Sequence, residues 1–156
     1  MSEGKILALD LATKTGWATN APEYSGVENF RNSTRDSRGM IYVRFGKWFN
    51  EMLESYTPSL IVYEQLHLRG AAATELLTGL LGQMERCIEE YCYNRNTKIE
   101  HASIHSGTIK KFATGKGNAS KEQMMKSYYD RFGKDPEDDN ECDARFLLEL
   151  SKEKFI

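Results

Sequence analysis

Two carboxylates in this chain close runs of residues that are otherwise apolar. Asp10 follows Ile6, Leu7, Ala8 and Leu9, and Glu64 follows Leu60, Ile61, Val62 and Tyr63. Each therefore stands at the C-terminal exit of a buried-type strand, where α/β sheets place their ligands. A third acidic feature is residues 135–143, with six acids in nine positions. Part of that density suits the positive end of a helix dipole. Asp143 differs, because Ala144, Phe146 and Leu147 follow it and put it inside a helix beside the apolar face. Asp139 and Asn140, four and three residues earlier, share that side of the helix. Acids converging on one point repel each other unless a cation sits between them, and an oxygen-only set suits Mg²⁺ or Mn²⁺. Two such ions about 4 Å apart can clamp the attacking water and the leaving oxygen of an in-line phosphoryl displacement, which makes a phosphodiester the implied substrate.

The lysines point the same way. Residues 101–121 hold no acid and four lysines, Lys110, Lys111, Lys116 and Lys121, around Gly115 and Gly117. This is either a phosphate-binding patch beside the acids or solvated surface. Formal net charge is −2, so the chain as a whole does not attract a polyanion, and any such partner must be met by a local patch. The segment 115–121 is not a nucleotide phosphate loop, since it lacks the Gly-Lys-Ser/Thr ending.

The elements that must position these residues can be read from periodicity. Residues 5–11, 16–19 and 24–30 read as three strands of a meander turning at Asn20, Ala21 and Pro22. Residues 36–56 carry Ile41, Phe45, Trp48, Phe49, Met52, Leu53 and Tyr56 at helical spacing, ended by Pro58, and residues 60–63 form a fully apolar strand. Residues 71–93 form the longest helix, apolar on a broad face through Leu76, Leu77, Leu80, Leu81, Met84, Ile88 and Tyr91. Residues 98–105 give a fifth strand, and Ser106 is placed to cap a short helix reaching Thr114. Ser120 with Gln123 has the form of a capping box opening a helix that Gly133 ends, and a last helix starts near Asp139. The order predicts a single α/β domain over residues 1–156: a mixed five-stranded sheet with helices on both faces. The 156 residues, 40% apolar and 28% charged, exclude a disordered chain and a multidomain machine. Cys87, Cys92 and Cys142 lack CxxC pairing and are expected as free thiols. The apolar run at residues 6–9 is too short for a signal sequence or a membrane span, so a cytoplasmic location is expected.

Four blocks resemble the RuvC-type Holliday junction resolvases of the ribonuclease H-like superfamily, particularly their bacteriophage members. KILALDLATKTGWATN at residues 5–20 resembles the opening strands of that family. LIVYEQLHLRGAAATELLTGLLGQM at 60–84 resembles its strand, glutamate and long helix. IKKFATGKGNASK at 109–121 resembles its basic segment, and DDNECDA at 138–144 its closing acidic helix. The resemblance implies a ribonuclease H-like fold and a homodimer that cuts branched DNA such as four-way junctions with two Mg²⁺ ions, Mn²⁺ substituting. It implies Asp10, Glu64 and Asp143 as metal ligands, with Lys110 and Lys121 at the scissile phosphate. His67 falls where such enzymes carry an aromatic residue that stacks on bases, and Arg69, Lys111 and Lys116 join the nucleic-acid surface. Two departures stand out: Leu11 and Ala12 replace the frequent Pro-Gly, and Asn140 occupies the fourth acidic position. Either Asn140 or Asp139 completes the metal set, or Asp139 caps the helix.

Other readings differ in what they require. An actin-like ATPase needs two such lobes, for which the chain is too short. A non-catalytic dimeric DNA-binding module need not keep Asp10, Glu64 and Asp143 together. An RNA-processing or flap- and fork-cutting nuclease of the same fold would keep all three, and only substrate assays separate it.

Overall fold

The computed structural model describes residues 4–67 and 70–155. Three strands come first, β1 (Ile6–Asp10), β2 (Lys14–Asn20) and β3 (Glu23–Asn29), followed by helix α1 (Arg38–Tyr56), strand β4 (Leu60–Glu64) and helix α2 (Ala71–Arg95). Strand β5 (Glu100–Ile104) and helices α3 (Ser106–Thr114), α4 (Lys121–Phe132) and α5 (Asp139–Phe155) complete the order. The sheet runs β3-β2-β1-β4-β5, with the meander antiparallel and β1, β4 and β5 parallel. This is the mixed five-stranded sheet expected from the sequence.

Every residue of β1 is buried because helices cover both faces. Leu7 and Leu9 join Ile61, Phe45, Phe49, Leu80 and Met84 in a core under α1 and α2. Ile6 and Ala8 join Val62, Ile104, Tyr128, Ala144, Phe146 and Leu147 in a second core under α3, α4 and α5. Alternation of side chains along a strand thus assigns Asp10, in phase with Ile6 and Ala8, to the α5 face. Glu64 is in phase with Val62 and faces the same way.

Two details depart from the sequence reading. His105, not Ser106, caps α3, its Nδ1 accepting from Gly107 N at 3.0 Å, while Ser106 is the first helical residue. Asp138, not Asp139, caps α5, its Oδ1 accepting from Asn140 N at 2.9 Å and Glu141 N at 3.0 Å. Leu76, Leu81 and Tyr91 of α2 pack against the chain's own core. The outer side of α2 carries exposed Glu75, Thr78, Gly82, Glu85 and Glu89. Ser120 and Gln123 form the expected reciprocal capping box.

Candidate active site

Strand register brings the first two acids together. Leu9 pairs with Tyr63 across the parallel β1–β4 ladder, so Asp10 and Glu64 are the next residues on neighbouring strands, on one face. On the other side Asp10 pairs with Gly16 of β2. There α5 descends onto the sheet: a Cβ on Gly16 would lie 2.0 Å from the Asn140 carbonyl oxygen and 2.2 Å from its carbon. Only a residue without a side chain permits that approach. Asn140 Nδ2 donates to the Lys14 carbonyl at 2.8 Å, and Lys14 Nζ lies 3.3 Å from Asp138. Both contacts hold the first turn of α5 against β2. One turn further along, Asp143 reaches the strand-end acids, and ligand oxygens of Asp10, Glu64 and Asp143 all lie within 4.8 Å of one another.

Burial and crowding raise the pKa values of Asp10 and Asp143. Burial, followed by the neighbouring Glu64 and Asp143, pushes Asp10 well above the ordinary carboxylate range. Burial, Glu64 and Asp139 raise Asp143 from 3.8 to about 7, against the opposing pull of Lys110 and Lys121. Ionising either acid is costly unless positive charge stands nearby. An oxygen-only donor set of this charge fits a hard divalent cation of the Mg²⁺ or Mn²⁺ class.

The three acids line a cleft of about 220 Å³ with Leu11, Ala12, His67, Ser106, Lys110, Asp139 and Asn140. Asp139 stands outside the close triad, with Oδ2 3.4 Å from Lys121 Nζ. Lys110 is therefore at the cleft wall and Lys121 just beyond it. Lys111 and Lys116 are exposed and do not line the cleft. The His67 ring meets His105 edge-on, with centroids 5.8 Å apart. Arg69 lies outside the described residues. Where Pro-Gly was missing after Asp10, Leu11 anchors in the core at 5% exposure and Thr15 secures the turn. The Thr15 Oγ1 donates to the Ala12 carbonyl at 2.6 Å and accepts from Ala12 N at 3.3 Å. Gly16 and Thr15 were not singled out from the sequence, and Ser106 was read there as a helix cap rather than as part of the cleft. Gly16 had a signal of sorts, a glycine inside a strand, which marks close approach of another backbone.

No protein-family model matches the chain, and no curated protein matches it by sequence. Solved structures do. The chain is similar to RuvC of Thermus thermophilus, with a TM-score of 0.67 and 15% identity over 92% of this chain and 90% of that one. The T. thermophilus RuvC in complex with Holliday junction substrate matches with a TM-score of 0.70 and 15% identity, covering 93% and 90% of the two chains. Ydc2, the yeast mitochondrial Holliday junction resolvase, matches with a TM-score of 0.64 and 16% identity over 97% and 81%. The fold is thus the ribonuclease H-like fold in the form that RuvC and Ydc2 share.

Proposed function

We propose that this chain is a metal-dependent, structure-selective endonuclease of the RuvC type, a single nuclease domain that hydrolyses phosphodiesters in branched DNA such as four-way junctions. The observation that carries the reading is the meeting of Asp10, Glu64 and Asp143 within 4.8 Å at the C-terminal exits of two parallel strands. Likeness to a RuvC structure holding a Holliday junction favours the four-way substrate over flap or RNA substrates.

Asp10, Glu64 and Asp143 would hold two Mg²⁺ ions, or Mn²⁺ in their place, with Asp139 or Asn140 at the edge of the set. When bound, such ions make water a better nucleophile and stabilise charge on the leaving oxygen. Lys110, at the cleft wall, offers a cation to the scissile phosphate, and Lys121 does so from behind Asp139. Lys111, Lys116, His67 and Arg69 would contact the DNA outside the reacting group. The products expected are a 5′-phosphate and a 3′-hydroxyl.

Symmetric cutting of a four-way junction requires two sites related by a two-fold axis, so the working form proposed is a homodimer. Among the described residues no helix is long and apolar enough to cross a membrane. The location proposed is the cytoplasm.

The test is a set of synthetic substrates, four-way junction, fork, flap and linear duplex, each with Mg²⁺ or with chelator. Metal-dependent cutting of the branched forms is expected. Absence of cutting on every substrate in both Mg²⁺ and Mn²⁺ would overturn the reading, and cutting of RNA or flaps alone would move the substrate within the fold. Sedimentation with and without junction measures the dimer.

A further inference from the structure

Positive charge gathers on a second side of the cleft. The segment between β3 and α1, residues 30–37, carries Arg31 and Arg35, and Arg38 opens α1. It leaves the sheet at the same end as the carboxylates. Lys14 pairs with Asn29, and Phe30 N donates at 2.9 Å to the carbonyl of Thr13, in the turn that follows Asp10. Two strand spacings of about 4.8 Å separate β1 from β3, so this loop starts roughly 10 Å from Asp10. The lysine segment lies in the opposite direction, beyond β4 and β5, because the sheet order is β3-β2-β1-β4-β5 and α3 follows β5.

The loop is built around one carboxylate. Asp36 accepts from Asn32 N at 2.7 Å, from Ser33 N at 3.0 Å and from Arg44 Nη1 at 2.7 Å. Ser33 Oγ accepts from Arg35 N at 3.1 Å, and Arg31 sends one guanidinium nitrogen to the Asp36 carbonyl at 3.4 Å. Arg44 neutralises Asp36, and Glu75, at 2.7 Å, neutralises Arg38. Among the described residues no carboxylate lies within ion-pair distance of Arg31 or Arg35. Arg35 is exposed and Arg31 half-buried with one nitrogen on the Asp36 carbonyl, so two guanidinium groups without a carboxylate partner stand on a shaped loop in a protein of net charge −2. Guanidinium matches phosphate oxygens in charge and in fork geometry. Each strand of a duplex presents one phosphate per 3.4 Å of axis, so a loop roughly 10 Å from the cleft meets DNA about three phosphates from the cut.

We propose that Arg31 and Arg35 of the β3–α1 loop bind the phosphate backbone of a duplex arm on the side of the cleft opposite the lysine segment. The acids would then lie between two cationic flanks, one for each arm leaving the branch. This rests on the endonuclease reading. It extends that reading to a surface that the four sequence blocks do not include.

The measurement is fluorescence anisotropy of a labelled four-way junction with the full chain in chelator, titrated with salt. R31A/R35A should bind about tenfold more weakly near 0.1 M salt, and its slope of log K against log salt should be shallower by about two. R31K/R35K should recover the slope, because counterion release counts charge rather than geometry. A wild-type protein that binds and cuts the junction, with R31A/R35A identical in affinity and slope, would overturn the arginine assignment alone. So would a loss of salt slope in R31A/R35A that R31K/R35K does not recover, since charge at these positions would then not be what the slope counts. A wild-type protein that neither binds nor cuts branched DNA would overturn the endonuclease reading and this inference with it.

Discussion

Gly16 of β2 lies beneath the Asn140 carbonyl of α5 so closely that a methyl group there would sit 2.0 Å from the oxygen. The same glycine is the register partner of Asp10. One position thus governs how far the helix bearing Asp143 stands from the strand bearing Asp10. Gly16→Ala should lift the first turn of α5. Overpacking of this kind costs about 1–3 kcal/mol, read as a lower urea midpoint. Nuclease activity should fall more than stability does at a temperature where the variant is fully folded. A Gly16→Ala protein with wild-type cleavage would show that the α5 approach is not needed to assemble the acids.

Asp10→Asn separates chemistry from binding. The amide removes one of three converging negative charges and should abolish Mg²⁺-dependent cutting. Junction affinity should be kept or raised, since the acids repel phosphate while the lysines attract it. Without metal at pH 8 the variant should also melt higher than wild type, because the buried Asp10 carboxylate and its repulsion with Glu64 and Asp143 are gone. Near-wild-type cutting would remove Asp10 from the metal set.

The metal-free protein should gain stability on mild acidification. Asp143 titrates at about 7 in the fold against an ordinary 3.8, and Asp10 is shifted in the same direction. Below pH 4 both folded and unfolded forms hold the Asp143 proton and no penalty exists. Between about 4 and 7 the unfolded chain releases it and the fold does not, so stability falls as pH rises and the loss is complete above 7. At 1.36 kcal/mol per pH unit the difference is about 4 kcal/mol for Asp143 taken alone. Asp36, held near 2 by Arg44 and two backbone amides, has the opposite sign, but its contribution is lost only at much lower pH. Thermal melts in chelator should therefore rise from pH 8 to pH 5.5, and Mg²⁺ at pH 8 should restore most of the difference. A flat profile in chelator would mean the acids do not crowd each other in solution.

Strand alternation and helical spacing made most of the scaffold legible. A carboxylate ending an apolar run is a local signal, and Asp10 and Glu64 carry it. Asp143 could be picked from its acidic neighbours because apolar residues follow it at helical spacing. Choice of cap was harder: Asp138 and Asp139 are the same residue type side by side, and only the path of the chain into α5 decides which accepts the Asn140 and Glu141 amides. Gly16 facing Asn140 joins residues far apart in sequence, and no local pattern pairs them. Arg31 and Arg35 are diluted in sequence by Asp36, whose charge the fold assigns to Arg44 instead. The apolar breadth of α2 was visible, but the sequence does not say whether such breadth meets another copy or the chain's own core.

Asp139 and Asn140 should divide their work between metal and scaffold. Asn140 spends its amide on the Lys14 carbonyl at 2.8 Å, anchoring α5 to β2. Asp139 is not the helix cap. Its carboxylate lines the cleft and meets Lys121 at 3.4 Å in a pair exposed by 69% and 40% at the two side chains, which contributes little to stability. Asp139→Asn should accordingly leave the urea midpoint within error of wild type and raise the Mg²⁺ concentration for half-maximal cleavage several-fold, because a negative charge near the ions is lost. Asn140→Ala should do the reverse: a loss of about 1 kcal/mol in stability from the broken Lys14 bond, with a smaller change in Mg²⁺ midpoint. Paired urea unfolding and Mg²⁺ titrations of cleavage on both variants decide the matter. A raised Mg²⁺ midpoint in Asn140→Ala at unchanged stability, with Asp139→Asn like wild type, would instead make the Asn140 side-chain amide oxygen the fourth ligand.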